Sequence, residues 1–65
     1  MNLKPGDRIR AVSRFKRKVI RKEYTVVEND LRKNFMVVNT GIYNETIDRF
    51  QVKSGKLKIE LVKEM

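Results

Sequence analysis

Residues 23–39, EYTVVENDLRKNFMVVN, decide the fold class of this chain. The segments 23–28 and 34–39 are rich in β-branched and aromatic residues, a composition typical of strands. Asn29-Asp30 begins the turn between them. The apolar run within 34–39 is continuous, which predicts burial on both faces of that strand, as in a barrel that is filled inside and covered outside. The stretch therefore predicts two consecutive strands joined by a turn.

Shorter strands are predicted on either side of this pair. Residues 8–12 alternate apolar and basic side chains after the turn signal Pro5-Gly6-Asp7. Further short strands are predicted at 42–47 and 50–53, with a tight turn at 48–50. The whole pattern predicts an all-β chain with five to six short antiparallel strands, most at a spacing of about 8–12 residues, which is typical of a small barrel.

The C-terminal segment 57–62 alternates apolar and charged residues, which predicts a last strand. A helix is the alternative there, with Leu57, Leu61 and Met65 on one stripe. If the segment is a strand, one of its faces is apolar and needs to be covered, and a homodimer would supply that cover. This face consists of Leu57, Ile59 and Leu61.

The segment 13–22 is the least regular part of the sequence. We interpret it as a long basic first loop, pinned by Phe15 and by Val19 or Ile20. A short helix is the alternative, because Val12, Phe15 and Val19 recur at helical spacing.

Composition limits the class of protein. The 65 residues predict one domain over 1–65, and the absence of cysteine and histidine excludes a disulfide and a structural zinc site. We expect no cofactor. No stretch approaches the roughly 18 apolar residues of a membrane span, and the N-terminus lacks the apolar core of a signal peptide. These features predict a cytoplasmic protein.

The charge of the chain is concentrated in its first third. Residues 1–22 hold nine basic side chains and one acid, which leaves +8, whereas residues 23–65 hold seven of each. Such asymmetry indicates a polyanionic partner, either nucleic acid or an acidic membrane surface.

Three motifs resemble a known kind of small protein. The opening 5–9, PGDRI, is similar to the entry strand of SH3-like and KOW-type barrels. The segment 21–27, RKEYTVV, resembles the second strand, lysine-glycine-x-x-tyrosine-x-valine, of small SH3-like proteins common in phage genomes. The segment 37–41 followed by 48–50 is similar to their third strand, turn and closing arginine-phenylalanine pair.

The chain departs from that pattern in three places. Arg21 stands where the family has glycine, the stretch between Gly41 and Phe50 is shorter, and residues 53–65 extend past the usual end. The extension is predicted to be an added strand or a partner-binding element. The resemblance implies an SH3-like barrel that binds nucleic acid or protein.

An enzyme is not expected. Catalysis near neutral pH usually needs a tuned acid or base, a nucleophile or a metal, and the chain has no histidine or cysteine. Glu45 and Asp48 are the nearest approach to a carboxylate pair, and two solvated turn carboxylates are the simpler interpretation. The three glycines are isolated turn residues and form no phosphate loop.

The first functional hypothesis is a nucleic-acid-binding barrel with weak sequence preference, for DNA or RNA. Clustered lysine and arginine neutralise phosphates and release counterions. Exposed aromatic rings add stacking on unpaired bases; core packing is expected for Tyr24, Phe35 and Phe50, whereas Phe15 and Tyr43 can either pack or stack. The predicted site residues are Arg8, Arg10, Arg14, Phe15, Lys16, Arg17, Lys18, Arg21, Lys22, Arg32, Lys33 and Tyr43.

Two other hypotheses stay open. A protein-interaction module would dock on an acidic host protein, using the basic segment for steering and an exposed strand edge for pairing. A membrane-surface contact would place Phe15, Val19 and Ile20 in the interface, and it requires the helical form of 13–22.

Overall fold

The chain forms five strands and one short helix. The structure, a computed structural model, describes residues 3–62. The elements are β1 (Arg8–Phe15), β2 (Lys18–Glu28), β3 (Phe35–Asn39), β4 (Asn44–Asp48), α1 (Arg49–Lys53) and β5 (Leu57–Leu61). The helix has five residues, so no helix in the described range is long and apolar enough to cross a membrane.

The strands form one antiparallel sheet in the order β4-β3-β2-β1-β5. This confirms the predicted all-β class. The sheet is not closed into a barrel, because within residues 3–62 the edge strands β4 and β5 do not pair with each other and α1 connects them. β4 and β5 run in the same direction at opposite edges of the sheet, so the connection through α1 crosses from one edge to the other over one face.

One face of the sheet, called here the inner face, carries the core. Each strand sends alternate side chains to this face, as the pleat of a strand requires. The buried residues are Ile9, Ala11, Tyr24, Val26, Met36, Val38 and Ile47, and Leu3, Val52, Leu57 and Ile59 pack against them.

The prediction that β3 is buried on both faces is wrong. Met36 and Val38 are buried, but Phe35 is 39% exposed and Val37 lies half-buried on the outer face, opposite the inner one. An open sheet has cover on one face only, so a continuous apolar run does not require two-sided burial.

The segment 50–53 is helical, so the predicted strand there is wrong. Asp48 caps α1, because its Oδ1 accepts a hydrogen bond from the backbone N–H of Phe50 at 2.9 Å. The helix turns Val52 toward the core and leaves Phe50 71% exposed, which contradicts the core position predicted for Phe50.

The segment 13–22 is neither a loop nor a helix. It belongs to a β-hairpin in which β1 and β2 pair from Arg8 opposite Thr25 to Phe15 opposite Lys18. Only Lys16 and Arg17 form the turn. The segment has basic side chains on both faces, so its sequence does not alternate between apolar and polar residues. Its backbone N–H and C=O groups hydrogen-bond across the hairpin, and these bonds stabilise the extended form.

The C-terminal strand is confirmed, and it is an integral part of the sheet. β5 pairs with β1 from Leu61 opposite Ile9 to Leu57 opposite Ser13. Leu57 and Ile59 pack against the core, so the chain itself provides most of the cover for which a homodimer was invoked. Met65, the last residue of the alternative helix, lies outside the described residues.

Candidate nucleic-acid interface

The far end of the β1–β2 hairpin is a basic projection, called here the basic arm and defined as residues 14–22. All nine residues are exposed. Within residues 3–62, no carboxylate oxygen lies within 4.0 Å of any basic nitrogen of the arm. Its six basic residues are Arg14, Lys16, Arg17, Lys18, Arg21 and Lys22.

Both faces of the arm are basic. Residues directly opposite each other in an antiparallel pair share a face, and successive residues alternate. Arg14 and Arg21 therefore lie on the outer face, whereas Lys18 and Lys22 lie on the inner face. Strand pairing, and not the order of the sequence, distributes the charge in this way.

The arm extends beyond its neighbours in the sheet. On one side the last β1–β5 pair is Ser13 with Leu57. On the other side β3 reaches only Thr25 of β2. Residues 20–24 of β2 therefore have a strand partner on one side only, and residues 14–19 form a free two-stranded ribbon. Its turn lies about 10 Å past the level of Ser13 at the usual rise of a strand.

The turn at the tip holds a lysine in an unfavourable backbone conformation. Lys16 has a φ of 57°, in the left-handed region that favours glycine. Its Nζ lies 5.6 Å from the centre of the Phe15 ring, which is itself 64% exposed. The tip thus presents a cation and an aromatic ring to solvent at the cost of local strain.

Replacing Lys16 by glycine separates the charge of this residue from its strain. We expect Lys16→Gly to raise the free energy of unfolding by about 1 kcal/mol, because glycine adopts positive φ without a steric penalty. Urea unfolding followed by circular dichroism measures this change. Arg17→Gly is the matched control: it removes the same charge at negative φ, and it should not stabilise. Equal destabilisation by both variants would contradict the strained turn.

Arg8 and Arg10 lie on the outer face of β1, but acidic neighbours neutralise them. Arg10 Nη2 is 3.4 Å from Glu23 Oε1, and Arg10 Nη1 is 3.8 Å from Glu60 Oε2. Arg8 Nη2 lies 4.0 Å from Glu23 Oε2. The two arginines and two glutamates form a balanced cluster at the base of the hairpin, so Arg8 and Arg10 do not extend the free positive charge of the arm.

Arg32 and Lys33 do not join the arm. They lie in the loop after β2, at the opposite end of that strand from the hairpin turn. Arg32 Nε is 3.1 Å from Asp30 Oδ1, a pairing that lowers the pKa of Asp30. Lys33 Nζ is 3.0 Å from Glu28 Oε1, which raises the pKa of Lys33. The structure therefore does not bring these two predicted site residues together with the arm.

Arg49 accounts for the shape of that loop. Its Nε donates to the Lys33 carbonyl at 2.9 Å, and its Nη2 donates to the Asp30 carbonyl at 3.0 Å and to Asn29 Oδ1. Arg49 therefore has a structural role.

Tyr43 lies at the same end of the sheet as the arm, in the β3–β4 turn, and is 56% exposed. Its hydroxyl donates to Glu45 Oε1 at 2.9 Å, which raises the pKa of Tyr43. Glu45 therefore places negative charge beside the Tyr43 ring, whereas the groove that Phe15 lines contains Lys16, Arg17 and Lys18.

Tyr24 is buried in the core, as predicted. Burial, and then the neighbouring Glu45 carboxylate, raise the pKa of Tyr24 to about 12. Folding therefore favours the protonated phenol over the phenolate.

This shift predicts a loss of stability at alkaline pH. The protonated Tyr24 phenol contributes about 2–3 kcal/mol to the free energy of unfolding. This contribution is fully present below the unfolded pKa of about 10, and it is lost as pH rises toward the folded pKa. Urea unfolding of the wild type and of Tyr24→Phe, at pH 8 and near pH 12, measures it. Between the two pH values, Tyr24→Phe should lose about 2–3 kcal/mol less stability than the wild type. Lysine titration lowers the stability of both proteins equally, so it does not affect this difference. Parallel losses would contradict the prediction.

Lys58 is a basic residue near the arm that the sequence-based prediction missed. On β5 it lies directly opposite Val12, which in turn lies opposite Arg21, so Arg21, Val12 and Lys58 form one row across the outer face. The alternation of 57–61 places Lys58 on the polar face. Only the pairing of β5 with β1 brings it beside the hairpin.

The described residues, 3–62, contain no group of three histidine, cysteine, aspartate or glutamate side chains placed to share a metal ion. Comparison with known proteins found no matching family model, no matching curated protein and no matching solved structure.

Proposed function

We propose that this protein is a non-catalytic nucleic-acid-binding module, and that the basic arm grips phosphate. The observation that carries the proposal is the free charge of the arm: six cations on nine exposed residues, with no carboxylate close enough to pair with any of them in the described chain. By contrast, the arginines at the base of the hairpin and the basic residues of the loop after β2 are paired with acids.

Lysine and arginine side chains that have no carboxylate partner can bind phosphate without first losing an ion pair. Each lysine or arginine that neutralises a phosphate releases condensed counterions, which drives binding. If all six arm cations contact phosphate, the logarithm of the binding constant should fall with the logarithm of salt concentration at a slope of about −5 on duplex DNA. No base-reading recognition helix is present in residues 3–62, so we expect weak sequence preference.

The test is fluorescence anisotropy of labelled nucleic acid titrated with the protein at several salt concentrations. Micromolar or tighter binding with a linear salt dependence supports the proposal. The slope estimates the number of phosphates contacted, and a value near one would show that the arm does not act as a unit. Absence of binding at low salt, with the protein shown to be folded by circular dichroism, would overturn the proposal.

A second candidate function, docking on an acidic protein, is favoured by one observation. From Lys18 to Glu23, the edge of β2 away from β1 has no strand partner among residues 3–62. An extended acidic segment could add to this edge through main-chain hydrogen bonds while its carboxylates meet the basic side chains. Such pairing would survive replacement of the tip cations with a slower association rate, whereas phosphate binding would not.

A further inference from the structure

The shape of the basic arm distinguishes among forms of nucleic acid. Past Ser13 and its partner Ile20, residues 14–19 form a ribbon of two strands, whose backbones lie about 5 Å apart. The major groove of B-form DNA is about 12 Å wide and 8.5 Å deep, and it admits a two-stranded ribbon. The projection of about 10 Å beyond the β5 pairing matches that depth.

The charge distribution fits a ligand that surrounds the arm. A surface that lies flat on a nucleic acid needs cations on one face. The free ribbon of residues 14–19 carries Arg14 on its outer face and Lys18 on its inner face. A groove has a phosphate backbone on each side, so an inserted ribbon meets phosphates with both faces.

The tip adds groups suited to the floor of a groove. Lys16 and Arg17 occupy the turn itself. Lysine and arginine donate to the O6 and N7 acceptors of guanine, and an aromatic ring makes apolar contact with the thymine methyl group, all of which face the major groove. Phe15, exposed and next to the turn, supplies such a ring.

Other nucleic-acid forms fit less well. The minor groove of B-form DNA is only about 6 Å wide. The major groove of A-form RNA is deep and too narrow for side chains to read. Single strands are usually held by several aromatic rings that stack successive bases, whereas the basic arm has one aromatic residue, Phe15.

We propose that the tip of the basic arm enters the major groove of B-form duplex DNA, with Lys16 and Arg17 at the floor and with Arg14 and Lys18 against the two phosphate walls. This inference rests on the proposed nucleic-acid function and adds the form of the ligand and the groove.

The first test compares three labelled probes of about 20 nucleotides per strand, matched in sequence: duplex DNA, duplex RNA and single-stranded DNA. At one salt concentration, we expect duplex DNA to bind about tenfold tighter than duplex RNA and also tighter than the single strand. Netropsin, which fills the minor groove, should not displace the protein. Equal or tighter binding to duplex RNA or to the single strand, or displacement by netropsin, overturns the inference while leaving nucleic-acid binding intact. Salt-independent or absent binding to all three probes overturns both proposals.

The second test removes one group from the groove. Replacing thymine by uracil in an A·T-rich duplex deletes methyl groups that lie only in the major groove. We expect the wild type to lose about fourfold in affinity, the value of one buried methyl group. Phe15→Ala should show the same affinity for both duplexes, and because Phe15 is exposed this variant should remain folded. A wild-type protein insensitive to the methyl group, or a Phe15→Ala variant that remains sensitive to it, contradicts the insertion of the tip.

Discussion

Charge reversal at the tip of the arm, Lys16→Glu with Arg17→Glu and Lys18→Glu, should abolish nucleic-acid binding. Each replacement removes one positive and adds one negative charge, so the net charge of the chain falls from +8 to +2. Loss of three cations from the contact with nucleic acid should weaken binding by roughly a thousandfold at about 50 mM salt, and repulsion of the new carboxylates adds to this loss. Fluorescence anisotropy at low and moderate salt measures the effect.

A matched control separates the position of the charge from its amount. Lys4→Glu with Arg32→Glu and Lys33→Glu changes the net charge equally, at the end of the sheet opposite the arm. These side chains are exposed, and surface ion pairs such as Arg32 with Asp30 contribute little to stability. The control should weaken binding only moderately, through the general field of the protein. Equal losses in the two triple variants would mean that net charge, rather than the arm, governs binding.

Ile9→Ala should produce the largest loss of stability of any single replacement proposed here. Ile9 is completely buried in β1, between Tyr24 on β2 and Leu61 on β5. Truncating a buried isoleucine to alanine costs about 2–5 kcal/mol, from lost transfer free energy and from the cavity left behind. A chain of 65 residues has a total of about 3–10 kcal/mol at the usual value per residue. The variant should therefore lose a large fraction of the stability of the fold, and it should unfold if the total lies at the lower end of that range.

Urea unfolding followed by circular dichroism tests this prediction. Ile9→Val, which removes one methylene, should cost only about 0.5–1.5 kcal/mol and keeps the experiment measurable if the alanine variant does not fold. Val27→Ala, on a half-exposed side chain of β2, is the matched surface control and should change stability far less. A small effect of Ile9→Ala, comparable to that of Val27→Ala, would show that Ile9 is not at the centre of the core.

The core variant and the tip variants test different properties of the protein, stability and binding. Ile9→Ala tests the fold, whereas the tip replacements lie on exposed residues outside the core and should leave the fold intact. A tip variant that unfolds would show that the arm is part of the cooperative structure. The contrast predicted by the structure is a folded protein that no longer binds.

Local sequence patterns were sufficient for most of the fold. The continuous apolar run of 34–39 predicted β3, the alternation of 57–61 predicted β5, and β-branched and aromatic residues in 23–28 predicted the second half of β2. Closure into a barrel and burial of β3 on both faces were wrong, because both depend on how the whole sheet is covered. Two further errors lie where a local pattern is compatible with two structures. In 50–53 an Asp48 side chain that caps the backbone selects a helix, and in 14–22 pairing across the hairpin selects a strand.

For the candidate site too, some features follow from local sequence and others from tertiary structure. The sequence by itself determined the all-β class, the excess of positive charge in the first third and the six cations of the arm, because composition and period-two alternation are local properties. Tertiary structure alone decided which cations remain free. Glu60 reaches Arg10 only because β5 pairs with β1, and that same pairing brings Lys58 beside the hairpin. Strand register joins residues some 50 positions apart, and the charge balance at each point of the surface depends on that register.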